Sequence, residues 1–154
     1  MSFVGPIGRN RDGSFKLRLG PQERELLRTL PGQLLELFGS ADPSLRRLFP
    51  PAYTDDAERE AEYQRFMADD LEARHRAALE ILANTADNPR LDEEELTAWM
   101  GALNDLRLVL GTRIDVQEDM VDIDDDDPNA PALHLYGYLT YLQSEVIDAL
   151  ASGL

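Results

Sequence analysis

The stretch from residue 96 to residue 113 (LTAWMGALNDLRLVLGTR) constrains the fold more than any other part of the chain. At about 100° per residue, six large apolar side chains fall on one side of a helix. They are Leu96, Trp99, Met100, Leu103, Leu106 and Leu110. Leu108 and Val109 point elsewhere, a pattern typical of a helix covered on several sides. Gly111 can adopt the left-handed conformation that ends a helix. The stretch therefore predicts a central buried helix that stops at Gly111.

Charged residues interrupt the predicted apolar faces of two helices. Arg107 lies in the middle of the central face, where an unpaired guanidinium would be costly to bury. A second long helix, predicted over residues 56–86, places Asp70 and Arg74 at i,i+4 spacing within its own stripe. That stripe comprises Tyr63, Phe66, Met67, Leu71, Ala78, Ile81 and Leu82. We expect Asp70, Arg74 and Arg107 to form one buried ionic network, structural in preference to catalytic.

Turn and capping residues predict the remaining elements. Asp12-Gly13 between short apolar runs predicts a β-hairpin, and Pro21 predicts the start of a helix that Pro31-Gly32 should kink or split. A strand over residues 112–116 could pair with the hairpin. The predicted fold is mainly α, a helical bundle around a central buried helix with a small N-terminal β-hairpin. It forms a single domain of residues 1–154: a hairpin region (1–19), a helical core (20–113), an acidic loop (114–131) and a C-terminal helix (132–152).

The net charge of −15 restricts the classes of partner. It argues against sequence-independent binding to DNA or to an anionic membrane, since both need clustered Lys and Arg. No apolar run approaches the roughly 18 residues of a membrane span, and no secretory signal is apparent, so we expect a cytoplasmic protein. Acids concentrate in the loop, and a candidate partner-binding surface comprises Asp122, Asp124, Asp125, Asp126 and Asp127. Such acidity suits either a basic partner or simple solubility.

The acidic loop does not complete a calcium site. Asp122, Asp124 and Asp126 have the 1, 3, 5 spacing of an EF-hand, but Asp127 occupies the position that needs glycine and Leu133 the position that needs glutamate. The two histidines lack a partner at metal-ligand spacing. There is no glycine-rich phosphate loop, no nucleophile elbow and no cysteine. We therefore expect no catalytic residue, no cofactor and no metal, and a protein that is not an enzyme.

Two segments resemble the actinobacterial AosR-like family, long catalogued as a domain of unknown function. They are residues 47–53 (RLFPPAY) and residues 99–113, and the order of elements matches along nearly the whole chain. The resemblance implies a cytoplasmic, non-enzymatic regulator of the oxidative-stress response. The resemblance also implies that the partner is an extracytoplasmic-function sigma factor and that the targets are sulfur-assimilation genes. In that family, the implied redox sensor is a cysteine pair. This chain has no cysteine, so its regulation is redox-independent or the sensing lies on the partner.

The leading functional hypothesis is a transcriptional regulator that contacts a sigma factor or RNA polymerase and does not read bases itself. Whether it forms a homodimer is left open. One alternative is an acidic adaptor for the proteolytic machinery. Another is a small ligand-binding protein or enzyme that uses the cluster around Arg107. Identification of the bound partner would distinguish the regulator from the adaptor, and a pocket at Arg107 would favour the ligand-binding alternative.

Overall fold

The computed structural model describes residues 5–40, 42–114 and 126–152. The three strands are β1 (Ile7–Arg9), β2 (Phe15–Leu17) and β3 (Arg90–Leu91). The four helices are α1 (Pro21–Leu35), α2 (Ala57–Thr85), α3 (Glu93–Arg113) and α4 (Ala130–Ala151), and a 3-10 turn spans Pro43–Arg47. The mainly α prediction is confirmed. None of the helices in these ranges is long and apolar enough to cross a membrane.

The N-terminal hairpin is the first part of a three-stranded antiparallel sheet. Its turn has Gly13 at a φ of 90°, and the backbone amide of Ser14 donates to Oδ1 of Asp12 at 2.9 Å. The order is β1-β2-β3, with Phe15 opposite Leu91. The hairpin prediction is confirmed, but the strand that pairs with the hairpin is β3 and not residues 112–116. The predicted strand over 112–116 is wrong where the structure describes it, because α3 continues to Arg113; residues 115 and 116 lie outside the described residues.

Arg24 on α1 fastens the sheet to the helices. Its guanidinium donates to four backbone carbonyls, those of Leu17 at 3.3 Å, Leu19 at 3.1 Å, Ala86 at 2.9 Å and Asn88 at 2.8 Å. Hydrogen bonds from a charged donor are among the stronger ones in proteins. One half-buried side chain therefore joins the end of β2 to the turn that follows α2.

The helix boundaries follow local capping chemistry. Asp92 and Glu95 form a capping box at the start of α3: the Glu95 amide donates to Asp92 Oδ1 at 2.7 Å, and the Asp92 amide to Glu95 Oε1 at 2.9 Å. Helix α1 remains one helix through Pro31 and does not split. The prediction that α3 ends at Gly111 is wrong. An added Cβ there would lie 3.0 Å from Cε2 of Tyr136, so this glycine permits close approach of α4.

Helix α3 is the centre of the bundle, packed against α2 on one side and α4 on the other. Its Trp99 is fully buried, and the indole Nε1 donates to Oγ1 of Thr85 on α2 at 2.7 Å. Thr85 donates in turn to the carbonyl of Ile81 at 2.6 Å. The indole N–H is therefore satisfied inside the core. The predicted central buried helix is confirmed.

The predicted apolar stripe of α2 is only partly buried. The buried residues of α2 are Leu79, Leu82 and Thr85, all near its C-terminal end, and only Leu82 belongs to the predicted stripe. Phe66 is 80% exposed and Met67 is also exposed. At about 100° per residue, Leu79 and Leu82 lie roughly 220° and 160° around the helix from Phe66. Phe66 therefore points away from the core, and the predictions that Phe66 and Met67 are buried are both wrong.

Candidate functional site: the buried His75–Asp105 pair

The ionic network expected from Asp70, Arg74 and Arg107 does not form. Asp70 and Arg74 pair with each other at 2.5 Å, but their side chains are 58% and 68% exposed. They lie on the part of α2 that the bundle does not cover. Arg107 is half-buried on α3, and its Nη2 donates to Oδ1 of Asn104 at 3.2 Å. The guanidinium carbon lies 6.0 Å from the centre of the Tyr136 ring, so Arg107 faces α4.

The buried ionic contact joins His75 on α2 to Asp105 on α3. Nδ1 of His75 lies 2.7 Å from Oδ2 of Asp105, and the two side chains are only 19% and 7% exposed. This pair supplies the charge neutralisation between the two helices that was expected of Arg107. A buried charge between α2 and α3 is paired, as expected, but the residues that pair are His75 and Asp105 and not the predicted ones.

The second ring nitrogen of His75 meets the chain just after the 3-10 turn. Nε2 donates to the carbonyl oxygen of Leu48 at 3.2 Å. A carbonyl can only accept, so Nε2 carries a proton, and a second proton lies between Nδ1 and the carboxyl group of Asp105. The ring of Phe49 packs edge-on against the imidazole at 5.5 Å, and Phe38 packs against Phe49 at 5.6 Å. The imidazole of His75 is thus enclosed by a carboxyl group, a backbone carbonyl and the ring of Phe49, and Phe38 packs behind Phe49.

Each member of the pair changes the proton affinity of the other. The hydrogen bond to Asp105 raises the pKa of His75, and burial of the imidazole acts in the opposite direction. Burial raises the pKa of Asp105, and the hydrogen bond and charge of His75 oppose that rise. The folded pair therefore holds protons that the unfolded chain releases at the same pH.

The segment after Leu48 is held a second time by Glu60 on α2. Oε1 of Glu60 accepts from the backbone amides of Ala52 at 2.7 Å and Tyr53 at 2.9 Å, and Oε2 accepts from Gln64 at 2.7 Å. The hydrogen bond from Gln64, followed by those from the two amides, lowers the pKa of Glu60. Residues 48–53 are thus attached to α2 at both ends.

The arrangement suits a structural role and not proton transfer to a substrate. In an Asp–His catalytic pair, the far ring nitrogen must be free to take a proton from a nucleophile. Here the Leu48 carbonyl already occupies Nε2, and the Phe49 ring covers the imidazole. Across the described ranges, no group of three or more His, Asp or Glu side chains could hold a metal ion.

The comparisons with known proteins now place the chain in a family. Residues 4–150 match DUF2017, a domain of unknown function. The chain belongs to the DUF2017 family. It is 27% identical over 183 aligned positions to proteins named oxidative stress regulator AosR in Mycobacterium tuberculosis (strain H37Rv) and Mycobacterium bovis, covering 91% of this chain and 84% of each relative. A Mycobacterium leprae protein named putative oxidative stress regulator AosR is also 27% identical, with 88% and 82% covered. No solved structure matches.

The AosR-like resemblance is therefore confirmed, and the structure shows where its two segments meet. Leu48 belongs to residues 47–53 and Asp105 belongs to residues 99–113, and His75 bonds to both. In this DUF2017 member, the two segments that carry the resemblance are parts of one packing site.

Only the last part of the acidic loop lies within the described residues. Asp122, Asp124 and Asp125 lie outside the described residues. Asp127 has a local role at the start of α4, where its Oδ1 accepts from the backbone amide of Asn129 at 2.8 Å. Asp126 is exposed beside it. The proposal that this loop binds a partner stays a prediction.

An apolar groove of about 100 Å³ lies between α1, α3 and α4. Leucine side chains and Val109 form most of its lining, with Gln33 and Arg113 as its polar residues. Arg113 is already engaged, through Ser44 at 3.2 Å and Asp42 at 3.2 Å. A specific ligand site needs several converging polar groups. The groove lacks them, and Arg107 is not among the residues that line it.

Sequence reasoning missed both members of the buried pair, although each leaves a signal. His75 stands four residues after Leu71 and four before Leu79, on the side of α2 that turns inward. Asp105 stands between Leu103 and Leu106 in a helix that is apolar on several sides. An acid and a histidine on the inward sides of two helices are therefore candidates for a buried hydrogen-bonded pair.

Proposed function

We propose that this protein is a non-enzymatic, cytoplasmic regulator of an oxidative-stress response that acts by contact with a sigma factor or RNA polymerase. Similarity along 91% of the chain to proteins named oxidative stress regulators carries the proposal. The alignment spans most of both proteins, so it concerns the whole fold and not one shared motif.

The geometry of the buried pair supports the non-enzymatic part of the proposal. His75 is the histidine best placed to act as a base, and both of its ring nitrogens are committed to Asp105 and Leu48. A general base needs hydrogen-bond reach to the proton that it removes. The pair instead fixes three segments of the chain against one another.

The charge supports contact with a protein and not with DNA. A chain of net charge −15 is repelled by phosphate and attracted to basic protein surfaces. Surfaces of transcription proteins that face DNA are rich in Lys and Arg, so an acidic regulator is complementary to them. Because the chain has no cysteine, the proposed regulation does not use a thiol of its own.

Two measurements test the proposal. The first is binding of the purified protein to RNA polymerase core and to purified extracytoplasmic-function sigma factors of the source organism, at low and near-physiological salt. The second is stress-gene transcription after an oxidant, compared between the wild-type strain, a deletion strain and the complemented deletion strain. We expect saturable binding that weakens with salt, and an induction that is lost on deletion and restored by the gene.

Unchanged induction in the deletion strain together with no binding to any transcription component would refute the proposal. Binding to a protease or chaperone subunit in place of polymerase would favour the adaptor function. An unrelated protein of similar acidity is the control for nonspecific attraction, because charge alone produces weak, salt-sensitive association.

A further inference from the structure

Phe66 is the most exposed large hydrophobic side chain among the described residues. It is 80% exposed on a well-formed helix and lies on the side of α2 opposite Leu79 and Leu82. A phenylalanine in this position makes little contribution to the core, since its apolar surface remains in water. Clustered exposed apolar residues with a polar surround are typical of protein interaction sites.

Two further exposed apolar side chains belong to the same half of α2 or to the segment attached to it. Met67 follows it in α2, and Tyr53 belongs to the segment attached to the same helix by Glu60. The Arg59 guanidinium, two helical turns before Phe66 on the same side, lies 5.9 Å from the centre of the Tyr53 ring. We call Tyr53, Phe66 and Met67 the Phe66 patch.

Acids outnumber bases around Phe66, since residues 58–70 hold five acids and two exposed arginines, Arg59 and Arg65. Glu62 stands one turn before it, and Asp69 and Asp70 stand one turn after it, all exposed. Asp70 is paired with Arg74. Within the described residues, Glu62 and Asp69 have no ion-pair partner. An apolar side chain whose surround is acidic on balance is complementary to an apolar pocket with a basic rim.

The net charge also indicates whether the partner at the Phe66 patch is a second copy of this chain or a different protein. Two chains of net charge −15 repel each other, and the Phe66 patch places unpaired acids at the contact. A basic partner removes that repulsion and neutralises Glu62 and Asp69. The patch is also ready for binding, because it lies on a regular helix with Tyr53 held by Glu60.

We propose that the Phe66 patch is the docking surface for the protein partner, and that this partner inserts Phe66 into an apolar pocket rimmed by Arg and Lys. The inference rests on the proposed function and adds to it the surface and the chemistry of the contact.

The test measures binding of four single variants to the purified sigma factors and RNA polymerase used above. Phe66→Ala removes the apolar anchor, and Ile147→Ala on α4 is its control, since Ile147 is also exposed. Asp69→Lys reverses a charge of the rim, and Asp148→Lys on α4 is its control. We expect Phe66→Ala and Asp69→Lys each to weaken the affinity at least about tenfold, as is usual for an anchor residue. The controls should stay within about twofold, and all four should unfold near the wild-type temperature.

The outcomes separate this inference from the proposed function. If the wild type binds and Phe66→Ala binds equally well, the docking surface is wrong and the function stands. If the wild type binds no transcription component, the function is wrong, and photo-crosslinking in cells decides the surface. A crosslinking phenylalanine analogue at position 66, but not at position 147, should then attach to a Lys- and Arg-rich peptide of one identified protein, and Asp69→Lys should abolish the product. No product at position 66 would overturn the docking surface as well.

Discussion

In a His75→Ala variant, the carboxylate of Asp105 stays buried and loses its partner. The Asp105 side chain is 7% exposed, and His75 provides its only hydrogen bond among the described residues. Removing one half of a buried ion pair typically costs about 3–5 kcal/mol. Asp105 can relieve part of that penalty by taking up a proton. We therefore expect the free energy of unfolding to fall by about 3 kcal/mol, at the lower end of the usual range.

Matched variants separate the charge from the packing. Asp105→Asn keeps the shape and still accepts a hydrogen bond from His75, so it should cost about 1–2 kcal/mol. The His75→Ala, Asp105→Ala double variant should cost less than the sum of the single variants, with a coupling energy of about 1–3 kcal/mol. Arg74→Ala, which breaks an exposed ion pair on the same helix, should cost less than about 1 kcal/mol.

Trp99 makes the measurement direct. It is the single tryptophan of the chain and is fully buried, so its fluorescence reports unfolding in urea. For a chain of this size, a loss of about 3 kcal/mol should lower the midpoint of thermal unfolding by roughly 6–12 °C. A His75→Ala loss below about 1 kcal/mol would refute the assignment of a buried pair.

The pH dependence of the free energy of unfolding is a second test of the buried pair, and the direction of each pKa shift fixes its sign. Folding raises the pKa of His75, so its contribution is complete below its unfolded value of about 6.5 and disappears as the pH rises through the folded value. Glu60 acts in the opposite sense, because folding lowers its pKa and its contribution disappears as the pH falls. We expect maximal stability on the acidic side of neutrality. In His75→Ala, the fall above about pH 6.5 should flatten, and an unchanged slope would contradict the mechanism.

Four other substitutions test packing contacts and hydrogen bonds of the fold by the same urea unfolding assay. Gly111→Ala should cost about 1–2 kcal/mol because its new methyl group meets an α4 ring, whereas Gly101→Ala, with open space around it, should stabilise by up to about 1 kcal/mol. Arg24→Ala should cost about 2–4 kcal/mol, since it removes the charged donor from four carbonyls; a loss under about 1 kcal/mol would contradict this. Tyr138→Phe, which removes a 3.0 Å bond to Glu23, should cost about 1 kcal/mol, and no change would show that water replaces the bond.

The elements that sequence analysis placed correctly are those with a local chemical cause. Asp12-Gly13 forms the hairpin turn because glycine adopts a positive φ there. The acids around residues 92–95 begin α3 because their side chains bond to free backbone amides. Such causes act within a few residues, so a single sequence reveals them. Gly111 was placed wrongly as a helix end because its cause is not local: the glycine allows close approach of Tyr136 on α4.

The candidate site depended on how the helices cross, which the sequence does not state. An i,i+4 spacing shows that Asp70 and Arg74 can meet, but not whether the helix is covered at that point. The bundle leaves that half of α2 in water, so the pair formed on the surface. Asp105 and His75, 30 residues apart, meet because α2 and α3 pack side by side. Candidate ion pairs are therefore better sought between polar residues of neighbouring helices than within a single helix.

The buried pair and the Phe66 patch are consequences of one orientation of α2. His75 can reach Asp105 only when its side of the helix turns toward α3, and Phe66, nine residues earlier, is then about 180° away. A rotation by one residue, about 100°, would break the His75 contact and move Phe66 toward the edge of the bundle. Glu60 holds Tyr53 to the same helix. The orientation of α2 that forms the His75–Asp105 pair is thus the one that exposes the Phe66 patch. The packing of the two family segments and the proposed contact with a partner therefore depend on the same orientation of this helix.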